Sequence, residues 1–112
     1  MIDFMREHPR MIKVIEGYEL RKGADIQPLF LKLRSYAMTF PGFISAEHIR
    51  SVKGPAISAL LYNWKGSEDW EAWESSKLRG QMLQEAETLL ASKPRVTIYE
   101  VVPTSVWTYT KY

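Results

Sequence analysis

Four segments of the chain alternate between apolar and polar residues, which is the period of a β-strand. They comprise residues 11–20, 43–52, 56–64 and 95–102. In the first segment, Ile12, Val14 and Tyr18 share one parity. The second segment has Ile44, Ala46, His48 and Val52 on one parity and Phe43, Glu47 and Ile49 on the other. The third segment is apolar on both parities, which predicts that it is covered on both faces of its sheet.

Between these strands, apolar residues recur every three or four positions, which is the period of an α-helix. Asp25 is the predicted N-cap of the first helix, with Pro28 in the first turn. The apolar face of this helix contains Ile26, Phe30, Leu33 and Ala37. A second helix is predicted to start at Ser67, and a further one follows Ser76 and ends before Pro94.

The order of these elements predicts an α+β fold of ferredoxin-like βαββαβ type. We expect a four-stranded antiparallel sheet with the helices on one face. The domain spans residues 11–102, with an N-terminal extension at 1–10 and a C-terminal arm at 103–112. The composition of the arm favours an added strand, on this chain or on a partner copy. The alternative is a frayed chain end.

The third strand also makes a prediction about assembly. Leu60, Leu61, Tyr62 and Trp64 leave neither face of the sheet suited to water, and one chain supplies helices for only one face. A second copy can cover the other face through a two-fold contact, because such a contact needs one self-complementary patch. The sequence therefore predicts a homodimer.

Composition narrows the functional classes. The chain has 15 basic and 13 acidic residues, a formal charge of +2, which argues against a nucleic-acid partner. It has no cysteine, which excludes disulfides and thiolate metal sites and fits a reducing cytoplasm. The 2 histidines lie far apart and form no metal-ligand cluster. No secretion signal or membrane span is predicted, and we expect a cytoplasmic protein.

Two side chains are candidates for acid–base chemistry. Glu16 shares the parity of Ile12 and Val14, so burial at the sheet would raise its pKa and make it a candidate base. The alternative for Glu16 is a structural carboxylate paired with a nearby Arg or Lys. His48 is the second candidate, because imidazole titrates near neutral pH. Its alternative is a strand histidine bonded to the backbone or solvent.

Three further side chains are candidate hydrogen-bond donors to a ligand. Trp64 could donate its indole N–H to a carbonyl, and Tyr62 or Arg79 could stabilise an oxyanion. The alternative for the two aromatic residues is packing in the core or at the dimer contact. The alternative for Arg79 is a solvated helix face.

Residues 61–76 read LYNWKGSEDWEAWESS, and Phe40 precedes the sequence Pro41, Gly42 and Phe43. These motifs resemble the antibiotic biosynthesis monooxygenase (ABM) family, in which a strand ends in Trp, a Ser-Glu pair opens a helix and a Trp-x-x-Ser follows. The resemblance implies a dimeric α+β barrel with a pocket between sheet and helices in each subunit. It places Trp64 at the family's pocket Trp and Trp70 at the pocket Tyr. Asn63 is near the family's pocket Asn in sequence but has the opposite parity, so it needs a bulge to reach that face.

The family includes cofactor-free oxygenases of phenols, quinol oxygenases and haem-degrading enzymes. No histidine follows His48, and the haem branch requires one on the helix after Trp73, so the sequence argues against haem. Flavin stays open, because the family pocket admits flat aromatic molecules, but no cofactor is predicted. The resemblance implies cofactor-independent oxidation of a small aromatic or quinol-type molecule. The alternative is a dimeric binding module of the same fold that holds an apolar molecule without turnover.

Overall fold

The computed structural model describes residues 10–102. Apart from Arg10, the predicted N-terminal extension and C-terminal arm lie outside these residues. The elements in chain order are β1 (Ile12–Glu19), α1 (Gln27–Ala37), β2 (Phe43–Arg50), β3 (Ile57–Trp64), α2 (Ser67–Glu74), α3 (Lys77–Ala86), a short 3-10 helix (Glu87–Leu89) and β4 (Arg95–Glu100). None of the helices within residues 10–102 has the length and apolar run needed to cross a bilayer.

The four strands form one sheet in the order β2-β3-β1-β4. Every neighbouring pair is antiparallel, and β3 lies between β1 and β2. This topology is the split βαβ arrangement of the ferredoxin-like fold. The predicted α+β fold class and strand count are therefore confirmed.

The core lies between the helices and one face of the sheet. β1 and β3 contribute alternate side chains to it, including Val14 and Tyr62, which are fully buried. α1 contributes residues at helical spacing, which are Leu29, Phe30, Leu33 and Ala37. Phe30 meets the Tyr18 ring edge-on with centroids 5.1 Å apart, a favoured aromatic geometry.

Several boundaries differ from the sequence prediction by one or two residues. The N-cap of α1 is Ile26 rather than Asp25. Asp25 nevertheless stabilises the helix start, because its Oδ1 accepts the Gln27 N–H at 3.0 Å. β2 ends at Arg50 and β4 at Glu100, each two residues before the predicted end.

A β-bulge in β2 changes which side chains face the helices. Phe43 is opposite Trp64 and Ser45 is opposite Asn63, so Ile44 is the extra residue. The bulge puts Phe43 on the same face as Ala46, where its ring meets Trp64 edge-on at 5.5 Å. Strict alternation had assigned Phe43 and Ala46 to opposite faces, and that assignment is wrong.

The face of the sheet away from the helices, here called the open face, carries apolar side chains. They are Ile15, Ile49, Ile57, Leu61 and Tyr99, all exposed or half-buried. The prediction of two apolar faces rested on four residues of β3, and only one of them, Leu61, lies on the open face. The other three, Leu60, Tyr62 and Trp64, face the helices and are buried. The open face therefore carries an apolar group from all four strands, set among polar side chains that include Lys13, Asn63 and Glu47.

The turn before β2 provides a test of local packing. Gly42 has a φ of 84°, and a Cβ added there would come within 2.6 Å of the Asp69 Cβ. We expect Gly42→Ala to lower the free energy of unfolding by about 3 kcal/mol in urea denaturation, from left-handed strain plus overpacking. Gly23→Ala is the matched control, because Gly23 has a φ of 80° and no atom within 4 Å of an added Cβ. It should cost about 1 kcal/mol. Equal losses for the two variants would contradict the packing argument.

Candidate active site

A cleft of about 620 Å³ opens on the helix side of the sheet, between α3 and β4. Its walls are Arg79, Gly80, Leu83, Gln84, Glu87, Leu90, Ala91, Ser92, Lys93, Pro94 and Val96. The cleft exists because no helix within residues 10–102 covers β4. Val96 and Ile98 face the helix side of the sheet, yet both are exposed. Its volume lies in the range of small-molecule sites.

Glu16 lies beside the floor of this cleft. It is in the middle of β1, on the helix side, and it is fully buried. In the β1–β4 pairing it is directly opposite Val96, which lines the cleft. Antiparallel partners on one face have Cβ atoms about 5 Å apart. Because Glu16 points to the helix side of β1, as its parity predicted, its carboxyl group lies next to the cleft.

Arg79 separates Glu16 from the cleft. It lies in the first turn of α3, where its backbone N–H bonds to the Ser76 hydroxyl at 3.2 Å. Its Nη2 donates to the Glu16 carboxylate, and its Nη1 donates to the Glu74 carbonyl oxygen at 3.1 Å. Its Cζ lies 5.4 Å from the centroid of the Trp70 ring, within cation–π range. The guanidinium is thus held on three sides, and the pairing of Glu16 with a nearby cation is observed.

The burial of this ion pair dominates the local electrostatics. Burial raises the pKa of Glu16, and the positive charge of Arg79 opposes that rise. Burial and the Glu16 charge also raise the pKa of Tyr18 and of Tyr62 above the usual tyrosine value. Both phenols are therefore neutral at physiological pH.

Polar atoms without a hydrogen-bond partner concentrate around the ion pair. Within residues 10–102, the buried side-chain atoms without a partner are Glu16 Oε1, Tyr18 OH, Trp64 Nε1, Trp70 Nε1 and Arg79 Nε. Folded proteins satisfy most such atoms, so a group of them marks a place where function and packing compete. All belong to the ion pair or to the aromatic residues around it.

The three predicted aromatic pocket residues form a closed cluster behind Arg79. Tyr62, Trp64 and Trp70 are fully buried, with ring centroids 5.4–6.4 Å apart. Trp73 joins them, because its Nε1 donates to the Tyr62 hydroxyl at 3.3 Å. None of the four lines the 620 Å³ cleft. Trp70 contacts the site through Arg79, whereas the Tyr62 phenol faces the Glu16 carboxylate.

Asn63 lies outside the cleft. β1 and β3 pair without a bulge, so Asn63 is on the open face, opposite Lys13. Its Oδ1 accepts from Lys13 Nζ at 2.7 Å, and its Nδ2 donates to Ser45 Oγ at 2.9 Å. The expectation that Asn63 belongs to a pocket between sheet and helices is corrected by this register. The observed bulge is in β2 and does not turn Asn63.

His48 is also separated from Glu16. Both are opposite Leu60, from the two strands that flank β3, so they lie about 10 Å apart across the sheet. His48 is exposed, its Nδ1 contacts the Gln27 Oε1, and its ring meets Phe30 edge-on at 4.7 Å. The two candidate bases therefore do not share one site.

A smaller pocket of about 240 Å³ lies at the edge of the open face. It is lined by Gly17, Glu19, Pro55, Ile57, Ser92, Lys93 and Arg95. Ser92 and Lys93 line the larger cleft as well. The segment after the 3-10 helix is therefore a wall shared by two surfaces.

Comparison with known proteins places the fold. No family model matches the chain, and no curated protein matches it. Solved structures do: a provisionally assigned antibiotic biosynthesis monooxygenase from Caulobacter crescentus superposes with a TM-score of 0.74, at 15% identity, over 92% of this chain and 100% of that one. A similarly assigned protein from Bordetella bronchiseptica gives 0.73, at 20% identity, over 84% and 99%. SnoaB from Streptomyces nogalater, a cofactor-independent oxygenase, gives 0.72, at 11% identity, over 86% and 97%.

The chain has the fold of the antibiotic biosynthesis monooxygenases. The resemblance predicted from residues 40–76 is thus confirmed at the level of structure. Residues 10–102 contain no group of three or more His, Asp or Glu side chains that could hold a metal ion.

Sequence reasoning missed most of the residues that line the cleft of this monooxygenase fold. Arg79, Leu83, Glu87 and Leu90 follow each other at spacings of four, four and three, which is one helical face. Val96 has the parity of the helix side. Both signals were in the sequence. They could indicate a pocket only with the knowledge that β4 lies next to β1 and that no described helix covers it.

Replacement of Arg79 tests the ion pair. Arg79→Met keeps most of the side-chain volume but leaves Glu16 buried without its counter-ion, and we expect it to lower the free energy of unfolding by about 3–5 kcal/mol at pH 7.5. The loss should be smaller at pH 5. In the Arg79→Met variant, the folded-state pKa of Glu16 is raised further above its unfolded-state value. The variant is therefore most stable at low pH, where Glu16 is protonated, and its free energy of unfolding falls as pH rises toward the folded-state pKa.

The double variant Glu16→Met with Arg79→Met is the control, measured by urea denaturation at both pH values. It removes both charges, so it should recover most of the loss, because an apolar pair of similar volume replaces the ion pair. A double variant as unstable as Arg79→Met, or a pH-independent loss, would contradict the assignment.

Proposed function

We propose that the chain is a small monooxygenase that oxidises an aromatic or quinol-type molecule in the cleft between α3 and β4, without a cofactor. The observation that carries this proposal is a buried carboxylate, Glu16, paired with an arginine, Arg79, that lines an apolar cleft. The ligand is a small molecule rather than a nucleic acid or a membrane, and we place the protein in the cytoplasm.

The chemistry needs a base, a stabiliser for an oxyanion and walls that exclude water. Glu16 is the proposed base that takes a proton from the substrate, and Arg79 stabilises the resulting anion. Leu83, Leu90 and Val96 supply apolar walls. The electron-rich anion then reduces O₂ directly. One oxygen atom replaces the two hydrogens of a substrate CH₂ group, so that this carbon becomes a carbonyl. The second oxygen atom leaves with those two hydrogens as water.

The fold supports the proposal that the reaction needs no cofactor. SnoaB is a cofactor-independent oxygenase with the same fold. Haem has no place in the proposal, because no histidine follows His48 in the sequence. Trp64, Trp70 and Tyr62 are assigned a supporting role, since they pack behind Arg79.

A non-catalytic binding module is the second candidate, and a specific observation favours it. Glu16 is completely shielded, with Arg79 between its carboxylate and the cleft. His48, the other candidate base, lies two strands away. A ligand held in the cleft as the structure stands would meet Arg79 but not the carboxylate.

Oxygen consumption discriminates between the two functions. With a panel of naphthols, anthrones and quinols, we expect the wild type to consume O₂, and Glu16→Gln to lose at least about 100-fold in rate, the usual contribution of a positioned base. Glu71→Gln is the matched control, because Glu71 is exposed on α2, away from the cleft and from the open face. It should retain the wild-type rate.

His48→Ala assigns the base within the same assay. Retained turnover is expected if Glu16 is the base, whereas lost turnover would contradict the placement of the site in the cleft, because His48 does not line it. Ligand-induced thermal stabilisation of the wild type, without oxygen uptake for any compound of the panel, would refute the oxygenase and support the binding module.

We also propose that two copies pair through their open faces. The apolar residues there come from all four strands and are not covered by any described part of the chain. A symmetric contact covers this surface on both copies at once. Face-to-face packing of two such sheets gives the barrel expected from the family resemblance.

Leu61 lies on a central strand of this face and is the residue to change. Sedimentation equilibrium should give the wild type twice the 13.0 kDa mass of the chain. Leu61→Glu should shift it to the single mass at micromolar concentration, because it replaces an apolar contact with a second carboxylate directly opposite Glu47. Leu31→Glu is the control, since Leu31 is exposed on α1, away from the sheet. A wild type of single mass would refute the dimer.

A further inference from the structure

Glu16 and Arg79 form a neutral pair beside the cleft, with the carboxylate fully buried and the guanidinium at the cleft wall. Arg79 of α3 provides the positive charge that contacts the carboxylate. The other groups facing it are the phenols of Tyr18 and Tyr62 and the more distant carboxylate of Glu74. Because isolated charges are costly in such surroundings, the region tolerates one positive and one negative charge together but neither alone.

The pair has capacity for a third participant. Arg79 uses Nη1 and Nη2 for Glu74 and Glu16, while its Nε has no partner within residues 10–102. Glu16 Oε1 has no partner with good hydrogen-bond geometry in this range, although the Tyr18 hydroxyl lies close enough to lower the pKa of Glu16. A guanidinium carries five N–H donors and a carboxylate about four acceptor positions. When the Arg79 side chain turns outward, it can bind the hydroxyl oxygen of a ligand in the cleft while the hydrogen of the same hydroxyl reaches Glu16.

We propose that a ligand enters by exchanging partners with this ion pair, and that the site therefore selects neutral weak acids, phenols or enols. The O–H bond of the ligand breaks, its proton bonds to the Glu16 carboxylate, and the oxyanion left on the ligand takes the place of Glu16 at Arg79. No proton enters from or leaves to solvent. This inference rests on the proposed function, because it takes the same cleft and the same base.

Charge conservation explains the selectivity. After the exchange the region still holds one cation and one anion, so a phenol adds no uncompensated charge. A carboxylate ligand arrives already ionised. If it takes Arg79, Glu16 is left buried and unpaired and has to bind a proton from solvent. Carboxylate binding is therefore linked to proton uptake, whereas phenol binding is not.

Two probes of one shape test this difference, under anaerobic conditions so that turnover does not interfere. 2-Naphthol should bind with the absorption spectrum of naphtholate at a pH where free naphthol is neutral, and its affinity should not change with pH in that range. 2-Naphthoate should bind more weakly and take up about one proton per site, measured by calorimetry in buffers of different ionisation enthalpy. Its affinity should fall about tenfold for each unit of rising pH.

Variants locate the proton. In Glu16→Gln the carboxylate acceptor is gone and Arg79 is left without its counter-ion. Naphtholate should therefore still bind at Arg79, but its proton should be released to solvent, about one per site, and its affinity should rise with pH. Glu71→Gln on the exposed side of α2 should behave as the wild type, with no proton release. The comparison of the two probes on the wild type does not depend on either variant folding. Naphthol bound in its neutral form, or naphthoate bound without proton uptake, would overturn the exchange and leave the oxygen-uptake test of the proposed function untouched. If neither probe binds, the cleft is not the site, and the proposed function and this inference fail together.

Discussion

The need to neutralise one buried carboxylate organises the helix side of this protein. Glu16 is at the centre of the sheet, where a strand side chain is normally apolar, and Arg79 reaches it from the first turn of α3. The same arginine holds the Glu74 carbonyl at the end of α2 and stacks on Trp70. The orientation of α3 against β1 is therefore coupled to the chain direction at the α2–α3 junction. The position of the cleft wall follows from that orientation.

The helix side divides into a closed half and an open half on the two sides of this ion pair. On one side, Trp64, Trp70 and Trp73 fill the space between β3 and α2 with aromatic rings. On the other side β4 extends beyond the helices, and Val96 is left partly exposed. Arg79 is the boundary between a packed core and a cavity, which explains why its guanidinium is buried and yet lines the cleft.

Much of the fold was predictable, because alternation and helical spacing identified every strand and α-helix, although the third helix ends at Ala86 and a 3-10 turn, not a continued helix, leads toward Pro94. Parity also placed Glu16 on the buried face. Other features depend on tertiary structure that periodicity does not encode. The bulge at Ile44 moved Phe43 to the helix side, and strand order put His48 two strands from Glu16. The Glu16–Arg79 contact joins positions 63 apart in the sequence. No local pattern indicates such a pairing, so the candidate site could be predicted as residues but not as a geometry.

The wall formed by Ser92 and Lys93 belongs to two surfaces, the cleft on the helix side and the shallow pocket at the edge of the open face. It is anchored from behind, because Ser92 bonds to Glu19 at 3.1 Å and the Ala91 N–H to the Glu19 carbonyl at 2.8 Å. Any molecule that displaces this wall from one side reshapes the surface on the other. Ligands in the cleft and in the shallow pocket would contact the same segment of backbone, and any coupling between them would be equal in both directions.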